Sequence, residues 1–146
     1  MTHTPAQIFR QYLLDEGLAV EPGASGSWPI YHSHLPDGVG VEDDALCVYD
    51  TAGGKDGRPM GGLPLFHHGI QLRVRSRSYT DGWEKAQEIA DAAGGILRES
   101  LDLDSITYII QSVSQSTSVV ALGVEEEGTK RRDHFTVNFL ATLKEE

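Results

Sequence analysis

Six histidines, a single cysteine and several adjacent carboxylates are the groups in this chain that could do chemistry. His32 and His34 stand two apart, which on a strand puts both on one face, and His67-His68 could approach from another strand. Two imidazoles on one face can contribute to a zinc or copper site. No cysteine pair, no His-Glu-x-x-His helix and no carboxylate at matching spacing completes the set, so these read as surface or edge histidines. Asp50-Thr51-Ala52-Gly53-Gly54 begins like an aspartic-protease loop. Ala52 stands where that loop needs a glycine, and the chemistry needs two carboxylates sharing a proton. Gly53-Gly54-Lys55 lacks both the spacing and the following hydroxyl of a phosphate loop. Cys47 lies in an apolar run and reads as a buried, inert thiol. Asp43-Asp44 and Glu125-Glu126-Glu127 read as solvated acidic loops. The expectation is no catalytic residue, no metal, no cofactor and no enzyme. A small ligand-binding or enzyme domain would instead need a pocket on which His32, His34 and His67 converge.

Charge narrows the choice further. Twelve basic and twenty-two acidic residues give a formal net charge of −10, so the molecule as a whole repels phosphate backbones. Nucleic-acid binders carry a basic face or stripe instead. Basic clusters at Arg73/Arg75/Arg77 and Lys130-Arg131-Arg132 lie near acidic neighbours and read as solvated edges or as inter-subunit ion pairs. Sequence-specific recognition of DNA or RNA is not expected, although repulsion suits a conduit through which DNA must slide. At 146 residues the chain reads as one domain, 1–146, burying roughly two-thirds of the surface its unfolded form exposes. No apolar run approaches the ~20 residues of a membrane-spanning helix. Met1-Thr2-His3-Thr4-Pro5 lacks the basic start and apolar core of a secretory signal. The lone cysteine excludes an intrachain disulfide. A soluble chain made in a reducing cytoplasm, with no membrane partner, is expected.

The elements that must position these groups follow from spacing. Thr4-Pro5 suits the cap and first position of a helix. Ile8, Phe9, Tyr12 and Leu13 form its apolar stripe, and Glu16-Gly17 ends it. Glu21–Trp28 reads as a loop, Ile30–Leu35 as a short strand and Pro36-Asp37-Gly38 as a turn. Ala45–Tyr49 is a buried strand. Asp50–Leu63, with Gly53, Gly54, Gly57, Gly61 and Gly62, reads as a glycine-rich hairpin arm covering about 50–65. Phe66–Arg75 alternates Ile70, Leu72 and Val74 with Gln71, Arg73 and Arg75, so one side is covered and the other is wet or partnered. Asp81–Leu101 reads as the second helix, capped by Ser78 or Thr80, with Trp83, Ala86, Ala90, Ala93 and Leu97 buried and Gly94-Gly95 inside. Ile106–Ser112 is a strand, Val119–Leu122 a short one, and Phe135–Leu143 a closing strand. The resulting class is α+β: one domain with a mostly antiparallel or mixed sheet covered by two amphipathic helices, in the order α-β-β-β-α-β-(β)-β.

Pro29-Ile30-Tyr31, Leu46–Thr51, Gly69-Ile70-Gln71-Leu72-Arg73-Val74-Arg75-Ser76-Arg77-Ser78-Tyr79 and the Trp83–Leu101 segment come in a distinctive order. Leu122–Glu126 and Arg131/Arg132 follow, before Phe135-Thr136-Val137-Asn138-Phe139. In these pieces the chain resembles, over nearly its whole length, the tail terminator proteins of long-tailed bacteriophages, also called minor capsid or tail completion proteins. It departs from them at Glu125–Asp133, where extra charges replace a tighter turn. The resemblance implies a homo-oligomeric ring, typically six-fold, that caps the tail tube and joins it to the head-side connector, with no cofactor and no catalytic residue. Implied partners are further copies of the chain, the major tail tube protein and the connector or adaptor, while DNA passes without specific binding. The implied location is the virion tail or neck, reached from the host cytoplasm during assembly. On this reading Asp50, Lys55, Arg58, Arg73, Arg75, Arg77, Arg131 and Arg132 are candidate inter-subunit or tube contacts. Asp43, Asp44, Glu125, Glu126 and Glu127 are candidate lumen-facing acids. Another neck protein of the same particle, a connector or adaptor, is the alternative.

Overall fold

Thr4 and Pro5 start the first helix as their chemistry dictates, in a computed structural model that describes residues 1–37, 41–55, 66–127 and 130–146. Helix α1 spans Pro5–Asp15. The Thr4 hydroxyl accepts the Gln7 N–H at 3.3 Å, and the Gln7 side chain accepts the Thr4 N–H at 2.8 Å, a reciprocal capping box. Ile8, Phe9, Tyr12 and Leu13 are all buried, and Gly17 takes the left-handed conformation after the helix end.

Among the described residues seven strands form one sheet: β1 (Ile30–His32), β2 (Ala45–Lys55), β3 (Phe66–Ser76), β4 (Glu99–Leu103), β5 (Ile106–Gln115), β6 (Val120–Glu127) and β7 (Lys130–Glu145). Their order is β1-β2-β3-β7-β5-β4, with β6 paired to β7 off this path. β1 runs parallel to β2 and every other pairing is antiparallel. Strand β7 is the organising element, because β3 pairs with it along one side while β5 and β6 share the other.

The class is α+β as expected, but several boundaries differ. Helix α2 spans Tyr79–Gly94 and stops short of Leu101. Gly95 caps it, with its N–H turned to the carbonyls of Asp91, Ala92 and Ala93, and Arg98 turns the chain at φ +63° into β4. The residues read as the end of a helix therefore make an additional strand, joined to β5 through Asp104 and Ser105, both at positive φ. Leu97 and Trp83, expected on the buried face, are 88% and 37% exposed, while Lys85 lies buried instead. Strand β1 is shorter than expected. Strand β2 is longer: it runs past Tyr49 to Lys55 through a bulge between Thr51 and Gly54. A side chain at Gly53 would run into the His67 carbonyl, and one at Gly69 into the Ala52 carbonyl, so glycine permits the close approach there. The remainder of the expected arm lies outside the described residues.

Both helices pack on one sheet face. Phe9 of α1 stacks near Phe139 at 5.3 Å between ring centroids, and Tyr79 and Trp83 of α2 meet Phe135 at 5.0 and 6.1 Å. Phe135 and Phe139 share a face of β7 by their even spacing. Ile70, Leu72, Val74, Leu46 and Val48 complete the same core. The opposite face carries Cys47 and Tyr49, then Gln71, Arg73 and Arg75, then Arg132, His134, Thr136 and Asn138, in register across β2, β3 and β7.

Candidate functional site

Alternation along β3 and β7 sends the arginines to the face away from the helices, where they meet different fates. Arg132 is only 2% exposed. Its guanidinium donates to both Asp37 oxygens at 2.7 and 2.8 Å and to Glu125 Oε1 at 2.8 Å. The other Glu125 oxygen accepts from His134 Nε2 at 2.8 Å. Arg75, also buried, donates from Nε to the Asp43 carbonyl, from Nη1 to that of Pro36 and from Nη2 to that of Glu42, at 2.7–2.9 Å. Asp44 accepts from the Ser76 hydroxyl and the Arg77 N–H. Two buried guanidiniums thus hold segment 36–44, in its described part, onto the sheet.

Electrostatics follow from this arrangement. The Asp37 hydrogen bonds hold the Arg132 proton more firmly than in water. Burial, and then the neighbouring Arg132 charge, lower the Arg75 pKa. The His134 hydrogen bond, reinforced by Arg132, holds Glu125 below the usual carboxylate range.

Arg73 lies between these pairs and the far end of the sheet. It is half-buried, and its guanidinium carbon sits 5.6 Å from the Tyr49 ring centroid. Its Nε is buried and has no hydrogen-bond partner among the described residues. Leaving such a donor unsatisfied costs about 1–3 kcal/mol. Burial, followed by the contact with Cys47, pushes Tyr49 up to about 12, and burial raises the Cys47 thiol, so both stay neutral. Gln71 donates to Asn138 at 3.2 Å beside this arginine.

Strand β6 is the other distinctive surface. Among the described residues it pairs only with β7, which leaves its second edge open, and Val120, Leu122 and Val124 are half-exposed along it. Leu122 sits at a bulge between Ala121 and Gly123.

The histidines divide between two places. His32 Nε2 lies 3.2 Å from Ser33 Oγ, 3.4 Å from Thr4 Oγ1 and 3.5 Å from Asp50 Oδ2. His67 Nδ1 lies 3.2 Å from Thr142 Oγ1. His67 and His68 line an open cavity of about 500 Å³ together with Thr4, Asp50 and Gly54, whereas His32 faces a separate one. His34 is exposed. Burial favours the neutral form of His68. Among the described residues no group of three His, Cys, Asp or Glu side chains could hold a metal ion.

Of the residues singled out from sequence, Arg77 and Arg131 are largely exposed and pair loosely with Asp43 at 3.6 Å and Asp133 at 3.9 Å. Asp50 accepts the Ala6 N–H at 2.8 Å, which fastens α1 to β2. Asp43, Asp44 and Glu125 are engaged within the chain, while Glu126 is exposed. Arg58 lies outside the described residues, as do the side chains of Lys55 and Glu127. Sequence reasoning missed Asp37 as the main partner of Arg132, because a contact across 95 positions leaves no local pattern. It also missed Tyr49 and Val120, although the alternation of β2 and β6 could have marked them.

The family model for bacteriophage tail terminator proteins matches residues 29–145 of the chain. A search of curated proteins found no match.

Proposed function

Since the chain belongs to the bacteriophage tail terminator family, we propose that its copies close into a six-fold ring that caps the completed tail tube and joins it to the head-side connector. Membership makes it a structural protein of the phage tail, located in the virion and in contact with other tail proteins.

The observation that carries this reading is β6. An edge strand bearing half-exposed Val120, Leu122 and Val124 invites pairing with another chain, and a solitary subunit would normally blunt it. In a ring the edge of each copy is covered by the next, and a head-to-tail contact closes when its rotation divides a full turn. The net charge of −10 suits a lumen through which DNA slides without adhering.

Native mass spectrometry and negative-stain imaging, with and without purified tail tubes, test the proposal. The expected result is a six-fold ring seated at the end of the tube. A subunit that stays monomeric on finished tails, or a closed two-fold dimer, overturns it. A ring found only on the head-side vertex assigns the protein to the connector instead.

A further inference from the structure

We propose that Arg73 receives a carboxylate from the neighbouring copy of this chain, so that the sheet face around it, with Tyr49, Gln71, Asn138 and Val120, is one half of the subunit interface. This rests on the ring reading and adds which face and which charge make the contact.

The register sets Cys47, Arg73, Thr136 and Val120 in one row across β2, β3, β7 and β6. Two neighbouring arginines on this face of the sheet are occupied at home: Arg75 by three carbonyls and Arg132 by Asp37 and Glu125. Arg10 likewise forks onto Glu21. Arg73 differs, because its positive charge rests on the Tyr49 ring and its buried Nε meets no acceptor among the described residues. A ring face attracts the cation but uses none of its in-plane N–H groups. A carboxylate entering in that plane at the outer end of the guanidinium would accept two parallel hydrogen bonds from the Nη nitrogens. Arginine packed against tyrosine is also a pairing enriched at the energetic centre of interfaces.

The occupant follows from charge. The chain carries twenty-two acidic residues against twelve basic, and several carboxylates, Glu126 and Glu145 among them, are exposed. A second copy therefore brings an anion to a face whose central cation has none among the described residues, while like regions of two copies repel. That selects a head-to-tail arrangement.

Two variants test the assignment. Arg73→Met removes a donor that the free subunit leaves unsatisfied, so the melting temperature of the isolated subunit should stay level or rise. Ring formation on tail tubes should fall at least tenfold. A merely structural arginine would show the reverse, a lowered melting temperature with rings intact. Arg73→Lys, treated with a carbodiimide in mixtures of nitrogen-15-labelled and unlabelled subunits, should give an amide between Lys at this position and a carboxylate of the other isotope. Rings formed by Arg73→Met at the level of the parent overturn the inference while leaving the ring reading intact. So does a cross-link confined to one chain, or one to the tube protein. If the parent chain itself forms no ring, the ring reading fails first.

Discussion

Arg132 and Asp37, 95 positions apart, meet in a two-bond fork of 2.7 and 2.8 Å whose cation is buried and whose anion is half in solvent. That asymmetry decides what each residue does. The carboxylate could be hydrated alone; the guanidinium could not.

Removing the two partners should therefore have unequal effects. Asp37→Ala leaves a buried cation with Glu125 as its remaining close partner and should destabilise the fold by about 3 kcal/mol. Arg132→Met removes the buried charge itself and leaves carboxylates that water can reach, for a loss of about 1–2 kcal/mol. Urea denaturation of the two variants checks the order. Equal losses, or a larger loss for Arg132→Met, would show that the network is held by something other than the stranded cation.

Glu125 links this network to pH. Its folded pKa is lowered, first by the His134 hydrogen bond and then by Arg132. A carboxylate of lower pKa in the folded state binds fewer protons there than when unfolded. Its contribution is complete above the ordinary carboxylate value of about 4.3 and is lost as pH falls through the lowered folded value. The melting temperature should thus fall on the acid side of that range, and Glu125→Gln should make the acid arm shallower. Solvent around the half-exposed carboxylate keeps the effect modest. Superimposable pH profiles for parent and variant would remove Glu125 from the account.

Much of the scaffold was legible because periodicity reports burial. The stripe Ile8, Phe9, Tyr12, Leu13 and the alternation of Ile70, Leu72 and Val74 mark residues that are buried in the structure. Glycines were read less well. Gly94-Gly95 sits where Leu97 could extend the apolar spacing of α2, yet the helix ends there and β4 begins. The β4–β5 turn uses Asp104-Ser105 in place of the usual Asn-Gly, so its signal was weak. For the interaction surface, the sequence marked arginines at alternate positions on β3. Which of them is satisfied at home depends on Pro36, Glu42 and Asp43 folding back from a distant segment, and that is a tertiary fact.

Two helical glycines offer a test of packing. A Cβ at Gly82 would stand 2.6 Å from the Phe135 ring and 3.0 Å from Ser76 Cβ, so Gly82→Ala must displace α2 from the sheet. A loss of about 1–3 kcal/mol is expected. A Cβ at Gly94 meets nothing within 4 Å. Gly94→Ala should stabilise by about 0.4–1 kcal/mol through the less flexible unfolded chain. Calorimetry on both resolves the contrast, and a Gly82→Ala change that is neutral or stabilising would mean that the α2–β7 contact is looser than described.

The acidic tip of β6 and β7 separates an electrostatic role from a structural one. Glu125 and Glu126 are chain neighbours, but Glu125 is tied to Arg132 and His134 while Glu126 is exposed. Glu125→Lys sets a second cation against Arg132 and removes the acceptor of His134, and should destabilise the subunit. Glu126→Lys changes an exposed charge and should leave folding free energy within about 0.5 kcal/mol. If repulsion keeps DNA sliding through the ring, the parent protein should retain no duplex DNA even at low salt, where screening is weakest. Rings of the Glu126→Lys variant should then retain it, with retention disappearing as salt is raised. Filter binding across a salt series, run beside thermal unfolding, measures both. Rings of Glu126→Lys that still ignore DNA would put this strand on the outside of the ring, and tight DNA binding by the parent protein would end the repulsive-lumen argument altogether.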